Sequence, residues 1–151
     1  MCVIKVVRDS YLNYSSVFNL VDYVLRDKST GGRVRFYGGY NVDINRTVEQ
    51  IMLVKNYYRK DDGRKMRHFI VSFDDDISAY DAYILGWRIA AFYANRYQIV
   101  FGVHEDTDNV HIHFVFNTVS FADGLKYCDY QSDLYSLKAY VNQVYDDFRG
   151  V

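Results

Sequence analysis

Apolar residues recur along this chain in two rhythms, and the alternation between them outlines a fold. Residues 1–8 (MCVIKVVR) alternate apolar and polar and predict a strand. Val17, Phe18, Leu20, Val21, Val24 and Leu25 fall three and four apart behind a serine, which predicts a helix over 15–26. The polar run 27–32 (DKSTGG) reads as a loop, and Arg33 to Tyr37 as a short strand closed by Gly38-Gly39. A second helix opens at Asn45 or Thr47 and runs to about Tyr58, ahead of a polar stretch over 59–65. His68 to Phe73 is a strand, the acidic triplet 74–76 a turn, and Ser78 the cap of a long helix reaching about Asn95. Two more strands, 98–104 and 110–120, flank the acidic loop 105–109, and a last helix covers Gln131 to Phe148 after a turn at Phe121 to Gly124. The order is β-α-β-α-β-α-β-β-α. The short link between the last two strands makes them an antiparallel hairpin. The pattern predicts an α+β domain, a mainly antiparallel sheet covered by helices on one face. With no repeat and no linker-like segment, residues 1–151 read as a single domain.

Composition narrows the class. Half of the residues are hydrophobic and a quarter charged, as in a soluble globular chain. No apolar run approaches the roughly 20 residues of a membrane span. The first eight residues are too short and too alternating for a signal peptide, and two distant cysteines, Cys2 and Cys128, make no disulfide framework. A reducing, cytoplasmic setting is the expectation. The absence of proline has no physical explanation in the pattern. Sixteen tyrosines and ten phenylalanines suit either an amphipathic core and rim or base stacking on single-stranded nucleic acid. The net charge is −1, yet residues 1–72 balance at +6 and residues 73–151 at −7. That asymmetry marks either a basic binding surface beside an acidic one or two sets of charges that mix on folding.

The chemistry concentrates in 104–117 (HEDTDNVHIHFVFN), which holds three of the four histidines. In a strand, residues two apart share a face. His111, His113, Val115 and Asn117 therefore line one side, and Ile112, Phe114 and Phe116 the other. His104, ending the preceding strand, lies close across the hairpin. Three converging neutral imidazoles predict a metal site, and by ligand softness alone they suggest zinc. Glu105, Asp106 and Asp108 are available to orient the imidazoles or act as a general base, with Asp106 favoured for function. His68, on a separate strand, reads as structural. An open metal position suits phosphoryl transfer, with water or a tyrosine as nucleophile.

This segment resembles the three-histidine signature of the HUH endonuclease superfamily, Ile112 standing at the hydrophobic position, and is similar to the third motif of conjugative relaxases of the mobilisation P type. HFIVSF (68–73), followed by an acidic turn and a long helix, resembles the second motif, whose serine is Ser72 here. SVFNLVDYVLRDKST (16–30) resembles the first, where Tyr23 matches the motif tyrosine. FNTVSFADGLKY (116–127) resembles the stretch after the third motif, so the likeness spans nearly the whole chain.

The resemblance implies an HUH-type fold with the histidine hairpin at its centre, and a site- and strand-specific DNA nickase and transesterase. His104, His111 and His113 hold a divalent metal, Mn²⁺ or Mg²⁺ in the family, with Zn²⁺ the candidate from softness. Tyr23 attacks the scissile phosphate, becomes joined to the 5′ end and frees a 3′ hydroxyl, and the reverse step religates the strand; from its place two residues after His104, and not from the resemblance, Asp106 is the catalytic carboxylate expected beside it. The expected partner is single-stranded and hairpin DNA at an origin of transfer on a plasmid or integrative element, with accessory relaxosome proteins. Ser72 and Asn117 are expected at the DNA, and Arg33, Arg35, Arg64 and Lys65 are among the basic candidates for phosphate contacts. Relaxases are commonly longer, so the chain reads as an excised catalytic domain or a shortened relative. Tyr11, Tyr14, Tyr37 and Tyr40 rival Tyr23. A rolling-circle replication initiator would instead use Tyr135, Tyr140 or Tyr145 on the last helix. A non-catalytic module would recognise an origin without cutting it, and a zinc hydrolase would cut with water and form no adduct.

Overall fold

The computed structural model describes residues 2–74 and 76–150, so the expectations for Met1, Asp75 and Val151 lie outside the described residues. Five strands and four helices follow in the expected order: β1 (Cys2–Val7), α1 (Tyr14–Leu25), β2 (Tyr37–Tyr40), α2 (Thr47–Tyr57), β3 (Met66–Phe73), α3 (Ala79–Ala90), β4 (Ile99–His104), β5 (His111–Asn117) and α4 (Gln131–Arg149). A short 3₁₀ turn, Ile44–Arg46, leads into α2. The sheet order is β1-β3-β5-β4-β2 and every pair is antiparallel.

Most differences from the expected spans have a local cause. Asn13, not Ser15, caps α1: its side chain accepts from Ser16 N at 2.8 Å, and Ser16 Oγ reaches back to Asn13 N. β2 runs through Gly38-Gly39 instead of ending there. A Cβ on Gly38 would sit 2.4 Å from the Trp87 ring, and one on Gly39 would sit 2.7 Å from Ile99 O. The missing side chains let α3 and β4 close on this edge strand. The expected long helix ends at Ala90, and turns carry the chain from there to β4.

Helices cover both faces of the sheet, not one. Phe69, Val71, Phe101, Ile112, Phe114 and Phe116 pack with α3 and α4 in an aromatic core. Phe114 stacks on Phe69 with ring centroids 4.7 Å apart, and Tyr93 stacks on Phe116 at 4.4 Å. On the opposite face α1 and α2 bring Val17, Leu20, Val21, Val24 and Ile51 against Met66, Val100 and Val115. The periodicity of α1 alone gives it an apolar stripe but not the side of the sheet it chooses. Once β1 and β3 pair, α1 must cross to reach β2 on the far edge, and it does so over the polar side.

Candidate metal centre and nucleophile

The register assembles the site. Ser72 pairs with His111 and His111 with His104, so these three form one row across β3, β5 and β4. The next row is Ile70, His113 and Gly102. All of these share the face under α1, because side chains two apart point the same way. Gly102 permits the close approach of the helix: a Cβ there would lie 2.1 Å from Val24 O, in the last turn of α1.

The ring centroids of His104 and His113 are 4.2 Å apart, those of His111 and His113 5.0 Å, and those of His104 and His111 5.5 Å. One ligand nitrogen from each lies within 4.8 Å of the others. His104 and His113 are buried and His111 is half-buried.

Each imidazole commits one nitrogen to the protein. His104 Nε2 donates to Val24 O at 2.9 Å. Thr107 Oγ1 donates to Asn109 O, so His111 Nδ1 is the donor to that carbonyl and to Thr107, each at 3.2 Å. His113 Nδ1 meets His68 Nε2 at 2.9 Å. That leaves His104 Nδ1, His111 Nε2 and His113 Nε2. His113 Nε2 is buried with no hydrogen-bond partner among the described residues, a costly state for a polar atom unless something else engages it. Burial first, then the neighbouring imidazoles, holds the His113 pKa down at about 2. His68 is held at about 4, again mainly by burial and then by His104. The His104 pKa is also lowered by burial, partly opposed by its bond to Val24. Neutral rings with an outward lone pair are what a metal needs, and the donor set fits one.

Tyr23 projects from α1 into the same cluster. Its ring centroid lies 5.1 Å from that of His113 and 5.6 Å from that of His104, and the ring is 39% exposed. Lys28 Nζ stands 5.2 Å from the Tyr23 ring centroid. The rival tyrosines are placed differently. Tyr11 is buried, with its hydroxyl 3.2 Å from His68 Nδ1 and its pKa pushed up to about 12 by burial and then Asp9. Tyr14 lines a groove between α1 and the 3₁₀ turn, away from the imidazoles. Tyr37 packs beneath Arg33, and Tyr40 donates to Trp87 O. Tyr135, Tyr140 and Tyr145 lie on α4, which packs on the other face of the sheet.

The remaining candidates separate. Ser72 shares the histidine face beside His111. Asp106 is exposed in the loop, where its charge opposes a small part of the lowering that burial imposes on the His104 pKa. Arg33 is exposed and donates to Asn45, while Arg35 forms a paired contact with Glu105, its closest N···O distance 2.6 Å. Arg64 is ion-paired with Asp129 at 3.5 Å. Lys65 is buried and bound to the Asp61 carboxylate at 2.7 Å. Asn117 is fully buried: it accepts from Lys55 Nζ at 2.7 Å and Val119 N at 3.0 Å, and donates to Gln98 at 2.9 Å and Ile51 O at 3.3 Å. These contacts give Lys65 and Asn117 to the interior, not to an outer surface. The two charge-biased halves of the chain also interleave. Arg8, Arg64 and Arg67 all meet Asp129, Arg35 meets Glu105, and Lys126 meets Asp62.

Two groups beside the centre escape a reading of the sequence. His68 is identifiable only once β3 is known to pair with β5, and Lys28, although inside the stretch 16–30, is a loop residue whose spacing does not tie it to the tyrosine or the histidines.

No helix among the described residues is long and apolar enough to cross a membrane. The family model for relaxases with a MobA/VirD2-like nuclease domain matches residues 23–149. Protein rlx of Staphylococcus aureus is 27% identical over 99 residues, which cover 65% of this chain and 30% of the length of that relative. The match from Tyr23 to Arg149 takes in the whole histidine hairpin, and the chain belongs to the relaxase family, as a MobA/VirD2-like nuclease domain.

Proposed function

We propose that this domain nicks and rejoins one DNA strand at an origin of transfer by transesterification, with Tyr23 as the nucleophile. The observation that carries the reading is the Tyr23 ring against both His104 and His113, on the face of the sheet where three imidazoles converge. His104, His111 and His113 would hold a divalent metal, Mn²⁺ or Mg²⁺ by family resemblance or Zn²⁺ by softness, which supplies Lewis-acid polarisation of a phosphoryl oxygen.

The rest of the chemistry belongs to the chain. Tyr23 Oη forms a bond to the scissile phosphorus and the P–O3′ bond breaks. The phenolic proton leaves by way of Asp106 or solvent, and the departing oxygen ends as a 3′ hydroxyl. One phosphodiester replaces another, so the step runs in reverse when a 3′ hydroxyl returns. Lys28, beside the Tyr23 ring, supplies positive charge near the phosphate. Ser72, in the outermost histidine row, is suited to bond the DNA next to the nick. The groove between α1 and the 3₁₀ turn presents Arg33 with Tyr14 and Phe18, a mixture that suits a phosphate and unstacked bases, while Arg26 and Arg46 in the same lining are paired with Asp22 and Glu49. Arg35 and Arg64, partly neutralised by Glu105 and Asp129, would add weaker phosphate contacts.

The test is a labelled single strand bearing origin sequence, incubated with the protein and Mn²⁺. A protein–DNA adduct that survives denaturation, disappears with chelator and maps to Tyr23 is expected. Cleavage without an adduct would mean a water-using hydrolase. An adduct on α4 would mean an initiator-type nucleophile, and binding with no reaction an origin-recognition module.

A further inference from the structure

Behind the three imidazoles stands a fourth. His68 is buried on β3, in the row of Val115 and Val7, and both its ring nitrogens are engaged. Nε2 faces His113 Nδ1 at 2.9 Å and Nδ1 faces the Tyr11 hydroxyl at 3.2 Å. Tyr11 is held there by an unusual backbone. Its φ is +49°, in the left-handed region that an aromatic residue rarely occupies, and Asp9 accepts from its amide at 3.3 Å.

The three groups form a chain of hydrogen bonds with two possible directions. In one, Tyr11 donates to His68 and His68 donates to His113. His113 then carries its proton on Nε2, the buried atom that has no partner among the described residues. In the other, His113 Nδ1 donates to His68 Nε2, and His68 Nδ1 donates to the tyrosine oxygen. Only this second direction leaves a lone pair on His113 Nε2, the nitrogen not engaged by His68 and so available to a metal shared with His104 and His111.

We propose that His68, backed by Tyr11, is the positioning residue of the metal centre: it accepts the His113 Nδ1 proton and so fixes the tautomer and ring orientation that present His113 Nε2 as a ligand. His104 and His111 receive the same service from backbone carbonyls, Val24 O and Asn109 O. His113, in the interior of the sheet, has a side chain in that place. The inference rests on the metal-binding reading above. Groups that orient a ligating histidine typically contribute a factor of about 10 to 100 in metal affinity.

Mn²⁺ affinity, read by the loss of free-ion paramagnetic resonance signal, tests it on the intact chain, with metal-free melting followed by circular dichroism. His68→Leu is expected to weaken Mn²⁺ binding about 10- to 100-fold. His68→Gln, whose side-chain oxygen can still accept from His113, should recover most of that loss. Tyr11→Phe should weaken binding by a smaller factor, about 2- to 10-fold, the weight of one hydrogen bond. Long-range nitrogen-15 spectra of the unmodified chain loaded with Zn²⁺ as a diamagnetic probe should show His68 and His113 both protonated at Nδ1, a result that needs no variant to fold. Equal affinity in His68→Leu, equal loss in the Leu and Gln variants, or an Nε2-protonated His68 in the loaded protein would overturn the proposal. Failure of the unmodified chain to bind Mn²⁺ or Zn²⁺ would overturn the metal reading itself, and this inference with it.

Discussion

The two faces of β5 are made of alternate residues on one strand, and they do opposite things. Ile112, Phe114 and Phe116 are fully buried against α3 and α4, where aromatic stacking and area burial stabilise the domain. His111 and His113, one residue out of phase, sit under α1, and His113 there combines a lowered proton affinity with an orphaned ring nitrogen. Burying neutral imidazoles and leaving one donor-acceptor atom unmatched opposes folding. The apolar face therefore supports a polar face that is held in place for chemistry. The polar face is not uniform either. Its far end closes with Asn117, Lys55 and Gln98 in a hydrogen-bonded cluster whose atoms satisfy one another, while the near end leaves nitrogens open.

The contrast predicts that substitutions on the two faces separate activity from stability. The largest effect belongs to Tyr23→Phe, which removes the nucleophile: adduct formation should fall by at least about 1000-fold, with the melting temperature nearly unchanged. Next is the opposite case. Phe114→Ala empties the centre of the aromatic core and should cost about 3–5 kcal/mol of stability by urea unfolding, while the molecules that remain folded bind Mn²⁺ as before. His111→Ala should reduce Mn²⁺ affinity by at least about 100-fold, beyond the range for an outer partner, with little change in urea midpoint because the ring is only half-buried.

Acid should act on the histidine face selectively. The folded pKa values of His68 and His113, about 4 and about 2, lie below the ordinary histidine value. Between about pH 6.5 and pH 4 the unfolded chain therefore binds more protons, and metal-free stability falls by up to about 1.4 kcal/mol per pH unit for each histidine. Above pH 6.5 both states are neutral at these sites and they contribute no slope. Urea midpoints across this window measure the effect; a flat profile from pH 7 to pH 5 would mean that the imidazoles protonate freely in the folded chain. The smallest change expected is for Gly102→Ala. The added methyl must push the last turn of α1 from β4, at about 1–3 kcal/mol. It should also weaken metal binding, because Val24 O would leave His104.

Much of this was legible in the chain. Alternation in 110–117 placed the histidines and the phenylalanines of this strand on opposite faces, and helical spacing located α1 with Tyr23 on it. Strand order was beyond that reading, and with it went the placement of His68. Nothing local to HFIVSF says that its neighbour is the strand bearing His113. For the same reason Asn117 looked like part of the open site: it shares a face with the histidines, but Lys55 from α2 comes over it. The pair of glycines in β2 signalled an end by composition and proved to be packing surfaces, Gly38 for Trp87 and Gly39 for the Ile99 backbone. Paired charges such as Arg35 with Glu105, 70 residues apart, depend on the tertiary fold and left the basic half looking more available than it is.

In the proposed mechanism three imidazoles on the polar face of this sheet, and no other side chain, hold the metal that Tyr23 serves. Anomalous scattering from a crystal soaked in Mn²⁺ is the decisive measurement. One strong peak is expected, bound by His104 Nδ1, His111 Nε2 and His113 Nε2, with the Tyr23 hydroxyl opening onto the same ion. A peak elsewhere, a peak that leaves out His113, or no peak at the three histidines would overturn that arrangement.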